Sequence, residues 1–192
     1  MVAQLKSNLL LVLAAVALLW AVEAANLLTG HHLNSWGILP RTVAGLRGIP
    51  LSPFLHGNIG HLLVNTVPFL VLGGLVAIQG RRAFLGVSLV VIACGGIALW
   101  VFGRTAYHIG ASGLIFGYFG YLVARAWYDR SLWSIFIALV TLFFYGGLVW
   151  GVLPTTTYIS WEGHLFGLLA GILAARIQGA RRQEKPAPTH SP

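Results

Sequence analysis

A serine, two histidines and an asparagine stand near the starts of three apolar runs that lie far apart in the chain. Ser112 sits in Gly110-Ala111-Ser112-Gly113. His61 and Asn65, at i and i+4 on one helical face, follow His56. His164 opens the last apolar run, three residues after Trp161. Such a set could hydrolyse an acyl bond. A hydroxyl is a poor nucleophile until a base takes its proton, and neutral imidazole is suited to that task. Donors for the oxyanion would be the Ser112 amide at a helix start, His61 and the Asn65 side chain. The acids are Glu23, Asp129, Glu162 and Glu184. Asp129 and Glu184 fall on the cytoplasmic side of the expected topology, away from Ser112, and Glu162 points to a different helical face from His164. Glu23 alone stays open as an orienting group. A Ser112–His164 dyad is expected, its ring positioned by packing, with Phe116 one turn after Ser112 as the stacking partner. Taken singly, each residue has a plainer use. An intramembrane serine commonly bonds back to its own helix, a histidine packs, an asparagine joins helices. Their joint occurrence favours chemistry.

The elements that must position these groups are membrane helices. The chain has 192 residues, 57% hydrophobic and 8% charged, against roughly 25% charged in soluble domains. Six apolar runs span about Leu9–Leu28, Ile59–Ile78, Ala83–Phe102, Ser112–Trp127, Leu132–Gly151 and Trp161–Ile177. The fourth, at ~1.5 Å per residue, covers roughly 24 Å of a ~30 Å hydrocarbon layer. Its serine must therefore start below the membrane surface. Polar groups at that depth are costly and point to function. Gly113, Gly117 and Gly120 on the fourth run, and Gly163, Gly167 and Gly171 on the sixth, have the spacing that lets two helices approach closely. The expected organisation is a transmembrane domain over 1–180 and a basic, Pro-rich, disordered cytoplasmic tail over 181–192. The long segment from Thr29 to Asn58, which carries Trp36, Leu39, Leu46, Leu51 and Phe54, is expected to pack against the bundle or dip into the membrane interface.

Of the twelve Lys and Arg residues, nine fall on one side of this topology and three (Arg41, Arg47, Arg104) on the other. The positive-inside rule then places both termini in the cytoplasm. The net charge of +8 is thus read as a topology signal, and no nucleic-acid partner is expected. The first run also has a rival reading as a signal peptide ending at Val22-Glu23-Ala24. The lone Cys94 excludes an intramolecular disulfide. His56, His61, His108 and His164 are numerous enough for a zinc site, yet no His-Glu-x-x-His spacing exists, and no metal or other cofactor is expected.

Three patterns resemble the rhomboid intramembrane serine proteases: the GxSG motif at Gly110–Gly113, the His56, His61, Asn65 spacing, and His164 followed by Gly167 and Gly171. The resemblance spans about Arg41 to Arg176. It implies an all-α polytopic fold of six transmembrane helices with a long first external loop. It implies cleavage of transmembrane segments of other proteins, with Ser112 as nucleophile, His164 as base, and His61, Asn65 and the Ser112 amide around the oxyanion. It further suggests substrate access beside the fifth run, under a cap at Val152–Ser160, in a bacterial-type plasma membrane. His56, Gly110, Gly113, Phe116, Gly167 and Gly171 would support the site. The chain departs from the family in two places. Phe116 stands where a tyrosine is common. The Trp-Arg pair of the first loop is absent at its usual distance before His56, leaving Arg41 and Arg47 as substitutes. The alternative is a catalytically inactive rhomboid-like protein that binds transmembrane helices.

Overall fold

Long runs of Leu, Val and Ala can satisfy their backbone amides in lipid only within helices, and every regular element among the described residues is helical. The structure is a computed structural model that describes residues 2–154 and 159–183, with side chains described as far as residue 180. The long helices are α1 (Val2–Leu28), α2 (Ile59–Ala77), α3 (Arg81–Phe102), α4 (Ser112–Asp129), α5 (Leu132–Tyr145) and α6 (Trp161–Gln183). A 3₁₀ stretch, Gly146–Val152, prolongs α5. Four of these helices are long and apolar enough to cross a membrane: α1, α2, α3, and α5 with its extension. The other two are α4 and α6, which carry Ser112 and His164. Helix α6 continues through Gln183, past the expected boundary at 180. Residues 184–192, and 155–158 of the expected cap, lie outside the described residues.

Helix α4 is the axle of the molecule. Every residue from Leu114 to Leu122 is buried, and the helix packs on α6, α5 and α2. Its closest neighbour is α6, and glycines are the reason. A methyl group on Gly167 would collide with the Gly113 carbonyl, one on Gly171 with the Gly117 carbonyl, and one on Gly120 with the Leu168 carbonyl. Backbone therefore lies on backbone along this seam. Helix α3 is interrupted by a π-turn at Val91–Gly95. The widened turn presses Val91 against Gly117, where no Cβ would fit, and sets Gly95 against the Phe166 carbonyl.

The segment between α1 and α2 is a string of short helical turns, His32–Trp36, Ala44–Arg47, Gly48–Leu51 and Ser52–Phe54. It is tied down at three places. Asn26, fully buried at the end of α1, accepts the Leu33 amide (3.1 Å) and donates to the Asn34 side chain (2.9 Å) and the His56 carbonyl (3.3 Å). Arg41 donates to the Val101 and Gly103 carbonyls at 3.2 and 2.7 Å, closing the end of α3. Arg47 lies over the Trp36 ring at 5.6 Å, a cation–π contact. Arg41 thus ties the segment to α3, and Arg47 ties it to Trp36 within the segment itself.

Candidate active site

Helix α4 begins at Ser112, and the turn before it is fixed by its own backbone. Gly110 has φ +118°, a conformation that L side chains rarely adopt. Its amide donates to the Ser52 carbonyl (2.9 Å), and the Ala111 amide donates to His56 Nε2 (3.4 Å). A Cβ at Gly110 would lie 2.8 Å from His61 Cε1 and 2.9 Å from Nε2. Glycine at this position is what lets the His61 ring rest against the chain two residues before Ser112. Ser112 itself is half-buried, and its amide is one of the donors that a helix start leaves without an intrahelical acceptor.

His61 belongs to the first turn of α2. The Asn58 side chain caps that turn by accepting the His61 amide at 2.8 Å. The ring Nδ1 accepts the Gly57 amide (3.4 Å), so in the neutral ring the proton sits on Nε2, the nitrogen beside Gly110. One turn later, Asn65 donates from Nδ2 to the His61 carbonyl (3.0 Å). The same Nδ2 lies 3.8 Å from where a Gly110 Cβ would be. His61 and Asn65 thus converge on the turn that leads into Ser112. His56, fully buried, meets the His61 ring edge-on with centroids 5.1 Å apart. Burial, with His61 alongside, pushes His56 down to about 4.

His164 lies in the first turn of α6. Its Nδ1 is 2.9 Å from the Gly151 carbonyl. A carbonyl only accepts, so Nδ1 carries the proton and Nε2 the lone pair. The ring stacks on Phe116 at 4.1 Å and 8°. Phe116 is one turn beyond Ser112, and Gly113, next to Ser112, faces the Gly163 carbonyl next to His164. Sequence spacing suggested Phe116 as the stacking partner; the Gly151 carbonyl, thirteen residues before His164, had no sequence signal.

Two ties join the loop before α4 to the start of α6. His108 Nδ1 lies 2.6 Å from Ser160 Oγ, and His108 Nε2 lies 3.0 Å from the Arg104 carbonyl. Arg104 also pairs with Glu162 at 3.4 Å and donates to the Ile159 carbonyl at 2.7 Å. Burial pushes His108 below the usual histidine value. In the sequence His108 stands out only as one of four histidines and Ser160 only as the end of the expected cap, and nothing there pairs them. A small cavity of about 50 Å³ opens beside Ser112, lined by His108, Ser160 and the apolar Ile38, Ile49, Val91 and Leu99.

Residues 44–181 match the model of the Rhomboid domain, and the chain belongs to the rhomboid family. With its four apolar membrane-length helices, it is an integral membrane protein. An uncharacterized protein of Mycobacterium tuberculosis is 40% identical over 178 residues, covering 88% of this chain and 74% of that protein. One of Mycobacterium leprae is 39% identical over 194 residues, covering 94% and 77%. A protein of Acanthamoeba polyphaga mimivirus named as a rhomboid protein is 28% identical over 130 residues, covering 64% and 70%.

Proposed function

We propose that this protein is an intramembrane serine endopeptidase that cleaves transmembrane segments of other membrane proteins. Ser112 attacks the scissile carbonyl. His164 takes the hydroxyl proton on Nε2 and returns it to the leaving amine. The His61 Nε2–H, the Asn65 amide and the Ser112 N–H receive the oxyanion. Water then hydrolyses the acyl-serine, again with His164 as base. The observation that carries this reading is the His164 tautomer. Its Nδ1 proton is held by the Gly151 carbonyl, so the opposite nitrogen is basic on a ring stacked one turn from Ser112. A Glu23 carboxylate is not needed to orient the base, because a backbone carbonyl does so.

In this reading all six long helices cross the membrane, α4 and α6 included. The nine-to-three split of basic residues puts both termini in the cytoplasm and the site toward the outer face. Helix α1 is a retained member of the bundle, supported by the burial of Val12, Val16, Leu19 and Asn26. The bacterial relatives support a plasma-membrane location. The partners are the bilayer and transmembrane protein substrates that approach beside α5. No step calls for a metal, another cofactor or nucleic acid.

A fluorophosphonate tests the site without knowledge of the substrate. Wild-type protein in proteoliposomes should take one label, mapped to Ser112 by peptide mass, and His164→Ala should take none. A rhomboid-like protein that only binds helices would leave Ser112 unlabelled.

A further inference from the structure

His108 and Ser160 take no part in the chemistry above, yet they sit beside it. They are separated by 52 residues of chain and held 2.6 Å apart. Each stands four residues before a reacting group, His108 before Ser112 and Ser160 before His164. The direction of the bond follows from its neighbours. The Arg104 carbonyl can only accept, so His108 Nε2 carries the proton and Nδ1 the lone pair. Ser160 therefore donates its hydroxyl proton to His108. Its oxygen meanwhile accepts the Gly163 amide (3.3 Å), which makes Ser160 the cap of α6. The Ser160 carbonyl accepts the His164 amide (3.1 Å), so the cap is bonded directly to the turn that holds the base. On the other side, the His108 backbone is paired both ways with Ile38 (3.0 and 2.9 Å), which anchors the ring to the external segment.

The glycine seam between α4 and α6 holds the helices close, but smooth backbone faces resist sliding along the axis poorly. A directional bond at the outer end would stop that slide. We propose that the His108–Ser160 hydrogen bond is a clamp that sets the axial register of α4 against α6 and thereby the separation of Ser112 and His164. Both are positioning residues. The Arg104–Glu162 pair beside them is a second tie between the same two segments. This inference rests on the protease reading, and it goes beyond it by assigning a function to two residues outside the dyad and the oxyanion donors.

The test uses the full chain in proteoliposomes and four variants: His108→Phe, Ser160→Ala, the double variant and Ser160→Thr. Three quantities are read: kcat and KM on a reporter transmembrane helix, the rate of fluorophosphonate labelling at Ser112, and thermal unfolding. His108→Phe and Ser160→Ala should each lower kcat and the labelling rate roughly 10- to 100-fold, with KM within about twofold, because a displacement of ~1 Å in a reacting pair has that effect. The double variant should be no worse than the worse single variant, as for partners in one bond. Ser160→Thr keeps the hydroxyl and should recover most of the rate. Loss of the helix cap alone would still slow the His108→Phe protein when Ser160→Ala is added; loss of the clamp would not. Wild-type labelling rates in either single variant, losses that multiply in the double, or losses that follow unfolding alone would each overturn the clamp. Wild-type protein that takes no label contradicts the protease reading, and the clamp with it. Labelling of wild type and Ser160→Ala at equal rates overturns the clamp only.

Discussion

The same two helices, α4 and α6, carry a polar cluster at each end, and the clusters are built differently. At the far end from Ser112, the Tyr121 hydroxyl bonds to the side chains of both Gln79 (2.8 Å) and Gln178 (2.7 Å), and Arg125 pairs with Asp129 at 2.7 Å. Side chain meets side chain there, and Tyr121 ties α4 to α6 and to the turn after α2. At the Ser112 end, backbone groups occupy one nitrogen of each key ring: Gly57 for His61, Gly151 for His164. That fixes both tautomers and leaves His61 Nε2 beside Gly110, two residues before Ser112. A polar cluster paired side chain to side chain stabilises. One whose members are half-held by backbone is arranged for a third party.

The first way to break this comparison is to remove the base. His164→Ala should lower cleavage at least ~10³-fold while thermal unfolding stays near wild type, because a dyad acts as a unit. Next, His61→Ala and Asn65→Ala should each lower kcat by ~10²–10³, the usual effect of losing an oxyanion donor, with KM little changed in steady-state assays. Third, Gly171→Val should destabilise the protein by about 1–3 kcal/mol in thermal or denaturant unfolding, since the seam has no room and the colliding atoms are backbone.

A pH titration sharpens the same contrast. His56 is held at about 4, below the unfolded value of 6.5. The unfolded chain therefore binds the proton first as pH falls. Stability is full above about pH 6.5 and declines as pH drops toward 4, by up to roughly 3 kcal/mol for this one residue. His108, also lowered by burial, adds to the decline with the same sign. Melting curves between pH 7.5 and 4 should show the loss, and His56→Gln should flatten it. The smallest effect is expected at the opposite end. Tyr121→Phe should cost about 1–2 kcal/mol of stability and leave kcat within roughly twofold.

Much of this was legible in the sequence because it is periodic or local. His61 and Asn65 are one helical turn apart, Phe116 is one turn from Ser112, and the two glycine stripes repeat every three or four residues. Six apolar runs became six long helices. What the sequence hid is pairing between distant loops. Nothing in the type or spacing of Ser160 marks His108 as its partner. Glu162 was correctly kept away from His164 by helical phase, but its pairing with Arg104 depends on where the loop before α4 folds back. The hub at Asn26 and the π-turn at Val91–Gly95 depend likewise on tertiary packing, which local patterns do not encode. The Gly151 carbonyl is invisible for a simpler reason: every residue has one.

The central claim is that Ser112 and His164 form one hydrolytic pair within the membrane. The most direct measurement is cleavage of a reporter transmembrane helix by purified protein in proteoliposomes, with fragments identified by N-terminal sequencing. Wild-type protein should generate a defined pair of fragments, and Ser112→Ala, reconstituted to the same level, should generate none. Equal cleavage by the Ser112→Ala protein would contradict the account.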